Sequence, residues 1–300
     1  MRIMIVTDEI CEECCEIINQ MTPSTLSFYL PNKSNWDTFE EDQVKFDAVY
    51  SLSPDFILGK KLKIPYFYNV PSGLFKNELN FNYFSRYYSQ LSGASAVFVN
   101  DKKLNKYCEW MDLNSYLVNE GVAVTKTKFS YKRFITPKLH IGFIGDENTY
   151  DLLKDIWPAR KSNWTLHIPK KKNFSFSDFS DGSTVFYLGD DYEKEIFENC
   201  HIVINAYRGK NNSIENFPSK NSCKAMLSGC VLVSSNLHGN NTNILFDGVH
   251  YFKLDFVDKN TLLETLRYID KRREKLDKMA KKGYNIVKKY FNIKETVIKK

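Results

Sequence analysis

Short apolar runs alternate along the chain with stretches whose apolar residues recur at helical spacing. MRIMIV (1–6), STLSFYLP (24–31), FDAVYSL (46–52), IPYFYNV (64–70) and ASAVFVN (94–100) are rich in β-branched and aromatic side chains, which predicts strands. Ile10, Cys14, Ile17 and Ile18 share one helical face after the first run. DFILGKKL (55–62) reads as a short helix, residues 77–93 and 101–112 as longer ones, and SYLVNEGV (115–122) as a further strand. Strands alternating with helices of this length predict βαβ units and a mostly parallel sheet.

KTKFSYKRFITPK (126–138) breaks this rhythm, being basic, polar and closed by Pro137. A second series follows: KLHIGFIG (138–145), a helix over 148–157, WTLHIP (164–169), STVFYLG (183–189), a helix over 191–199 and HIVINAY (201–207). Then come a helix near 220–228, the strand CVLVSS (230–235) and closing helices over 259–271 and 273–290. The expected organisation is a Rossmann-like domain over 1–125, a linker over 126–138 and a second such domain over 139–300. Open parallel sheets bind ligands beyond the carboxyl ends of their strands. That rule singles out Thr7 and Asp8, Asn69 to Ser72, Gly145 and Asp146, Asn205 with Tyr207 and Arg208, and Ser235 to Asn241. Two domains facing across a cleft would suit an enzyme that joins two substrates.

Composition narrows the class. Apolar residues make up 43% of the chain, enough for buried cores, and no run approaches the length of a membrane span. MRIMIVTDEICEE turns acidic too soon for a signal peptide, so the expected location is the cytoplasm. Seven scattered cysteines argue against a secreted disulfide framework. Cys11, Cys14 and Cys15 have no partner CxxC or His pair, so a reduced helix face is preferred to a metal clip and no metal is expected. The formal charge is +6, and Lys and Arg heavily outnumber Asp and Glu from Lys259 to Lys300. Such a tail either rests on an anionic membrane or nucleic acid, or is a solvated helix face.

The second half carries a more specific pattern. GFIG, then VFYLGDDYEKEIFENCHIVINAY, ENFPSKNSCKAMLSGCVLVSS and HGNNTNILFDGVHYF, closed by LLETLRYIDKRREKLDKMAKKGYNIVKKYF, resembles the C-terminal domain of group 1 (family 4) glycosyltransferases over about residues 139–291. The resemblance implies an α/β chain of the GT-B fold, with two Rossmann-like domains facing across a cleft. It implies transfer of a sugar from a nucleotide sugar, held by the C-terminal domain as substrate, with no tightly bound cofactor and no metal. The acceptor by analogy is a glycan or lipid-linked glycan in surface polysaccharide synthesis, met peripherally at the inner membrane face, with configuration retained.

Carried over by position, Glu215 resembles the acid that contacts the donor sugar and is the catalytic candidate. Lys224 occupies the place of a second acid that would hold the ribose, and Gly239, Asn240 and Asn241 resemble the loop that approaches the donor. Asn205, Tyr207, Arg208, Lys220 and Ser222 complete the expected donor side, while Asp8, Asn69 and Ser72 are expected on the acceptor side.

Departures from the family pattern are concentrated at charged positions. Glu215 and Lys224 lie nine apart where eight is usual, Asn243 replaces an acid, and the residues after Gly145 are Asp146, Glu147 and Asn148 rather than basic. Lys220 and Lys224, four apart, share one helix face near its start. They either bind phosphate with the help of the helix dipole or point to solvent. Two other classes therefore stay open: a non-catalytic GT-B module partnering an active transferase, and a phage-type DNA-base glycosyltransferase.

Overall fold

Two six-stranded sheets organise the protein, and every described strand pair in them is parallel. The computed structural model describes residues 2–7, 26–29, 45–51, 64–70, 88, 91–99, 102–117, 129–132, 134–145, 147–170, 179, 184–189, 191–206, 219–235 and 244–292, with side chains left out at 26–29, 68–70 and 102–104. Two compact units result, one built on Met1–Ala123 and the other spanning Val124–Asn292.

The first unit contains β1 (Ile3–Val6), β2 (Leu26–Tyr29), β3 (Ala48–Ser51), β4 (Tyr66–Val70), β5 (Ala96–Val99), α1 (Lys102–Trp110) and β6 (Ser115–Leu117). Their order across the sheet is β2-β1-β3-β4-β5-β6. Met4, Val6, Val49, Val97 and Val99 project to one buried face with Tyr66, Leu91 and Cys108. Phe67 and Phe98 stack with ring centres 6.3 Å apart, in a cluster with the half-buried Tyr50. In the aromatic stretch beginning at residue 66, Tyr66 and Phe67 thus serve packing. Burial pushes the Tyr66 phenol up to about 12.

In the second unit the elements are β7 (Leu139–Phe143), α2 (Glu147–Ile156), β8 (Trp164–Pro169), β9 (Val185–Leu188), α3 (Tyr192–Asn199), β10 (Ile202–Asn205), α4 (Lys220–Leu227), β11 (Val231–Ser235), β12 (Phe252–Leu254), α5 (Lys259–Asp270) and α6 (Leu276–Tyr290). Across the sheet they run β12-β11-β10-β7-β8-β9. This is the doubly wound dinucleotide-fold order, and its direction reverses between β7 and β10. Leu139, Ile141 and Phe143 alternate into one core with Trp164, Leu166, Ile202, Ile204, Val231 and Val233, closed by Leu262, Leu266 and Ile269 of α5. The opposite face meets α3 closely: a Cβ on Gly142 would lie 2.4 Å from Ile196 and 3.0 Å from the Cys200 sulfur.

Residues 129–132 and 134–138 of the basic stretch expected to join the domains belong with the second unit. Phe134 and Lys132 are buried, and the Lys132 ammonium donates to the Phe197 carbonyl at 2.8 Å and also to that of Glu198. Both are last-turn carbonyls of α3, so a buried cation closes that helix where its dipole is negative. Gly229 turns at φ +80° beneath the segment, and a Cβ there would sit 2.4 Å from the Ser130 carbonyl oxygen.

One strand went unanticipated from sequence. β12 is three residues long and pairs with β11, fixed by the Lys253 N–H donating to the Asp247 carboxylate at 2.8 Å. The helix expected over 55–62, and most of that over 77–93, lie outside the described residues.

Candidate functional site

A polar cradle lies at the carboxyl end of β10, beside the point where strand order reverses. Asn205, the last residue of β10, is fully buried. Its amide donates to the hydroxyls of Ser219 at 2.7 Å and Ser222 at 2.8 Å. Ser219 is the N-cap of α4, and its hydroxyl also accepts from the Ser222 N–H at 3.2 Å. From β11, the Ser234 hydroxyl donates to the Asn205 carbonyl at 2.8 Å. Strand end and helix start are therefore locked together through buried hydrogen bonds. Two buried polar atoms at the same edge, Asn205 Oδ1 and Ser235 Oγ, have no hydrogen-bond partner among the described residues. Leaving such atoms unpaired is costly, which marks the edge as built for something more than packing.

Close backbone approach completes the switch point. The Ile144 N–H donates to the Ile204 carbonyl at 3.0 Å, and the buried Thr149 hydroxyl of α2 to the Ala206 carbonyl at 2.9 Å. Gly145 fits because it lacks a side chain: a Cβ there would fall 2.5 Å from the Ala206 oxygen.

Charge distinguishes the helices that start at this edge. The first turn of α2 carries Glu147, and that of α3 carries Glu193 and Glu195. In α4 the first turn contains no acid and begins at Lys220. A cation at the positive end of a helix dipole is unfavourable by about 0.3–1 kcal/mol unless an anion shares the position. The first turn of α5 also lacks an acid, but the Asp258 carboxylate caps it, so α4, capped by the neutral Ser219, is the described helix start of this edge that best suits an anion such as a phosphate.

Lys220 and Lys224 are both half-buried, so neither is simply a solvent-facing side chain. The Lys224 ammonium lies 3.9 Å from a Glu193 carboxylate oxygen, and the other oxygen accepts from the Asn221 amide at 3.1 Å. A pair this long and partly exposed contributes about 0–1 kcal/mol to stability.

Of the expected site residues, the structure thus gathers Asn205, Lys220, Ser222 and Lys224 at one strand end and one helix start. It gives the backbone of Asn69 at the carboxyl half of β4, opposite Phe98. Asp8, Ser72, Tyr207, Arg208, Glu215, Gly239, Asn240 and Asn241 lie outside the described residues. Sequence reasoning missed Ser219, Thr149, Asn221 and Glu193. Ser219 carried a legible signal, a serine just before a helical run. Asp191 is the N-cap of α3 but makes no side-chain cap bond.

A second polar cluster lies nearer the amino ends of the strands. His140 Nδ1 and His167 Nε2 are 2.8 Å apart, and the His140 N–H donates to His201 Nδ1 at 3.0 Å. His167 also stacks on Phe186 with ring centres 5.1 Å apart. Burial, reinforced by His140, pushes His167 down to about 4, and burial with the Lys138 charge lowers His140. Among the described residues, no group of three or more His, Cys, Asp or Glu could hold a metal ion, and no helix is long and apolar enough to cross a membrane.

Comparison with solved structures defines the fold. The chain superimposes on HepE from Anabaena, solved with UDP and glucose, with a TM-score of 0.70 and 12% identity over 98% of this chain and 96% of that one. A glycosyltransferase from Rickettsia africae matches with a TM-score of 0.68 and 11% identity over 99% and 96% of the two chains. An α-glucosyltransferase solved with UDP-glucose and DNA containing an abasic site matches with a TM-score of 0.62 and 12% identity over 100% and 98%. No protein-family model matches the chain, and no curated protein matches it by sequence. The protein is an α/β chain of the GT-B fold.

Proposed function

We propose that this protein is a nucleotide-sugar-dependent glycosyltransferase whose C-terminal unit holds the donor. The observation that carries the reading is the start of α4: an acid-free first turn with Lys220, capped by half-buried Ser219 and seated on buried Asn205 and Ser222 at the crevice edge of a doubly wound sheet. As the bond to the sugar breaks, negative charge grows on the departing diphosphate. The start of α4, with its positive dipole end, and the Lys220 ammonium stabilise that charge. Asn205 and Ser222 act beneath them, fixing the helix start against β10. Glu215 takes the catalytic role at the donor sugar, and Tyr207, Arg208, Gly239, Asn240 and Asn241 contribute to donor binding. Solved structures of the same fold hold UDP or UDP-glucose, which supports a sugar nucleotide as the ligand. The acceptor in this reading is a glycan or lipid-linked glycan, approached from the side of Asp8, Asn69 and Ser72. Transfer proceeds with retention and without a metal.

Calorimetry with UDP-, GDP- and ADP-linked sugars, followed by anomer analysis of the product, tests the reading. Binding of at least one donor is expected, and Glu215→Ala is expected to abolish transfer while leaving the unfolding midpoint unchanged. No binding to any donor would instead favour a non-catalytic GT-B module. A DNA acceptor is the second reading, favoured by the likeness to the α-glucosyltransferase solved with DNA over 100% of this chain. It requires duplex binding that weakens steeply with salt.

A further inference from the structure

We propose that Glu193 supplies the carboxylate that accepts hydrogen bonds from the ribose hydroxyls of the nucleotide, with Lys224 as its orienting cation. The inference rests on the donor reading above and names the residue that sets its preference for a ribonucleotide. Lys224 can donate to a ribose hydroxyl oxygen but, with three donors and no acceptor, cannot take the O–H hydrogen bonds that an acid accepts. The acceptor stands directly beside it on the neighbouring helix.

Three features of Glu193 fit the role. It belongs to the first turn of α3, and both its contacts are to α4, so it bridges the starts of two helices at the ligand edge. Its carboxylate is held rather than free: Asn221 donates to one oxygen at 3.1 Å, and the Lys224 ammonium lies 3.9 Å from the other. Finally, its side chain is 36% exposed while that of Lys224 is 19% exposed. The cation is thus the more sheltered partner and the carboxylate the more presented one. Each carboxylate oxygen has two acceptor positions, and Asn221 fills a single one. Lys220 stands one helical turn before Lys224, so phosphate contact at the α4 start and ribose contact at the bridge fall in the order in which a nucleotide presents them.

Charge at the site is therefore rearranged rather than lost. The helix that starts without an acid takes the anionic part of the ligand. The helix that starts with acids takes the hydroxyls.

Titration of UDP and GDP, each against its 2′-deoxy counterpart, into the full-length protein tests the assignment. The wild-type protein is expected to bind the ribonucleotide about tenfold to hundredfold more tightly than the deoxynucleotide. Glu193→Gln, which keeps the shape and an oxygen for Asn221, should reduce that ratio to within about threefold, with deoxynucleotide affinity nearly unchanged. Exchange of the two charges, Glu193→Lys with Lys224→Glu, should restore a clear preference for the ribonucleotide, because it returns a carboxylate to the same pair of helix starts. Intact discrimination in Glu193→Gln overturns the proposal alone. Absence of binding by both ribonucleotides, and by ADP as well, overturns the donor reading, and the role of Glu193 with it.

Discussion

Acid should weaken the second unit through its histidines, and His167 allows the effect to be worked out. The ring is buried against Phe186 and His140, and its folded-state value is about 4 against 6.5 for a free imidazole. A depressed value means that the folded chain holds the ring neutral while the unfolded chain protonates it. The unfolded state then binds more protons between these two values, so stability rises with pH across that window. The contribution is complete above about pH 6.5 and is lost as pH falls towards 4. At about 1.36 kcal/mol per pH unit, the difference amounts to about 3 kcal/mol, most of it gone by pH 4.5. His140 is shifted in the same direction and adds to the loss. Urea unfolding of the wild type and of His167→Gln at pH 7 and pH 4.5 isolates the term, because glutamine retains a polar end group but does not titrate. Carboxylate titration elsewhere is common to both proteins and cancels. The variant is expected to lose about 2–3 kcal/mol less than the wild type between the two pH values. Equal losses would refute the argument.

Three further substitutions test the framework of the site. Asn205→Ala removes the amide that joins Ser219 and Ser222 and should cost about 2 kcal/mol in urea unfolding, with weaker nucleotide binding; an unchanged midpoint would mean the cradle does not hold α4. Gly229→Ala places a Cβ 2.4 Å from the Ser130 carbonyl at a left-handed backbone position. It should cost about 2–4 kcal/mol in thermal unfolding. Lys132→Met leaves the Phe197 and Glu198 carbonyls at the end of α3 without their donor and should lower stability by about 2 kcal/mol in the same urea assay.

The second half of the chain was legible because its periods are clean. WTLHIP and CVLVSS are dense apolar runs that became β8 and β11, and the helix expected near 220–228 is α4 at 220–227. β12 was not legible, since three residues, FKL, carry no period. Lys132 was read as part of a basic, polar linker, because composition cannot reveal that an ammonium will find two helix-end carbonyls sixty-five and sixty-six residues away. Glu193 was invisible for a related reason. Its partners Asn221 and Lys224 belong to another helix, and only the crossover from β9 through α3 to β10 brings the two helix starts together.

This division between legible and illegible also accounts for a shared fold at 12% identity with HepE. Anion binding at an open parallel sheet depends first on backbone: a strand end, a tight turn and the unpaired N–H groups of the next helix. Any sequence that forms β10, caps α4 with Ser219 and keeps acids out of its first turn retains that element, whatever its other side chains. Side-chain charges are freer to move, provided that the sum presented to the ligand is kept. The Lys224–Glu193 pair is an instance: a cation stands where the resemblance leads one to expect an acid, and an acid stands within 3.9 Å of it. The test that distinguishes a relocated function from a decayed one is therefore not whether a family residue is present at its usual place. It is whether a carboxylate at the helix starts of this edge, here that of Glu193 on α3, is needed for the nucleotide to bind.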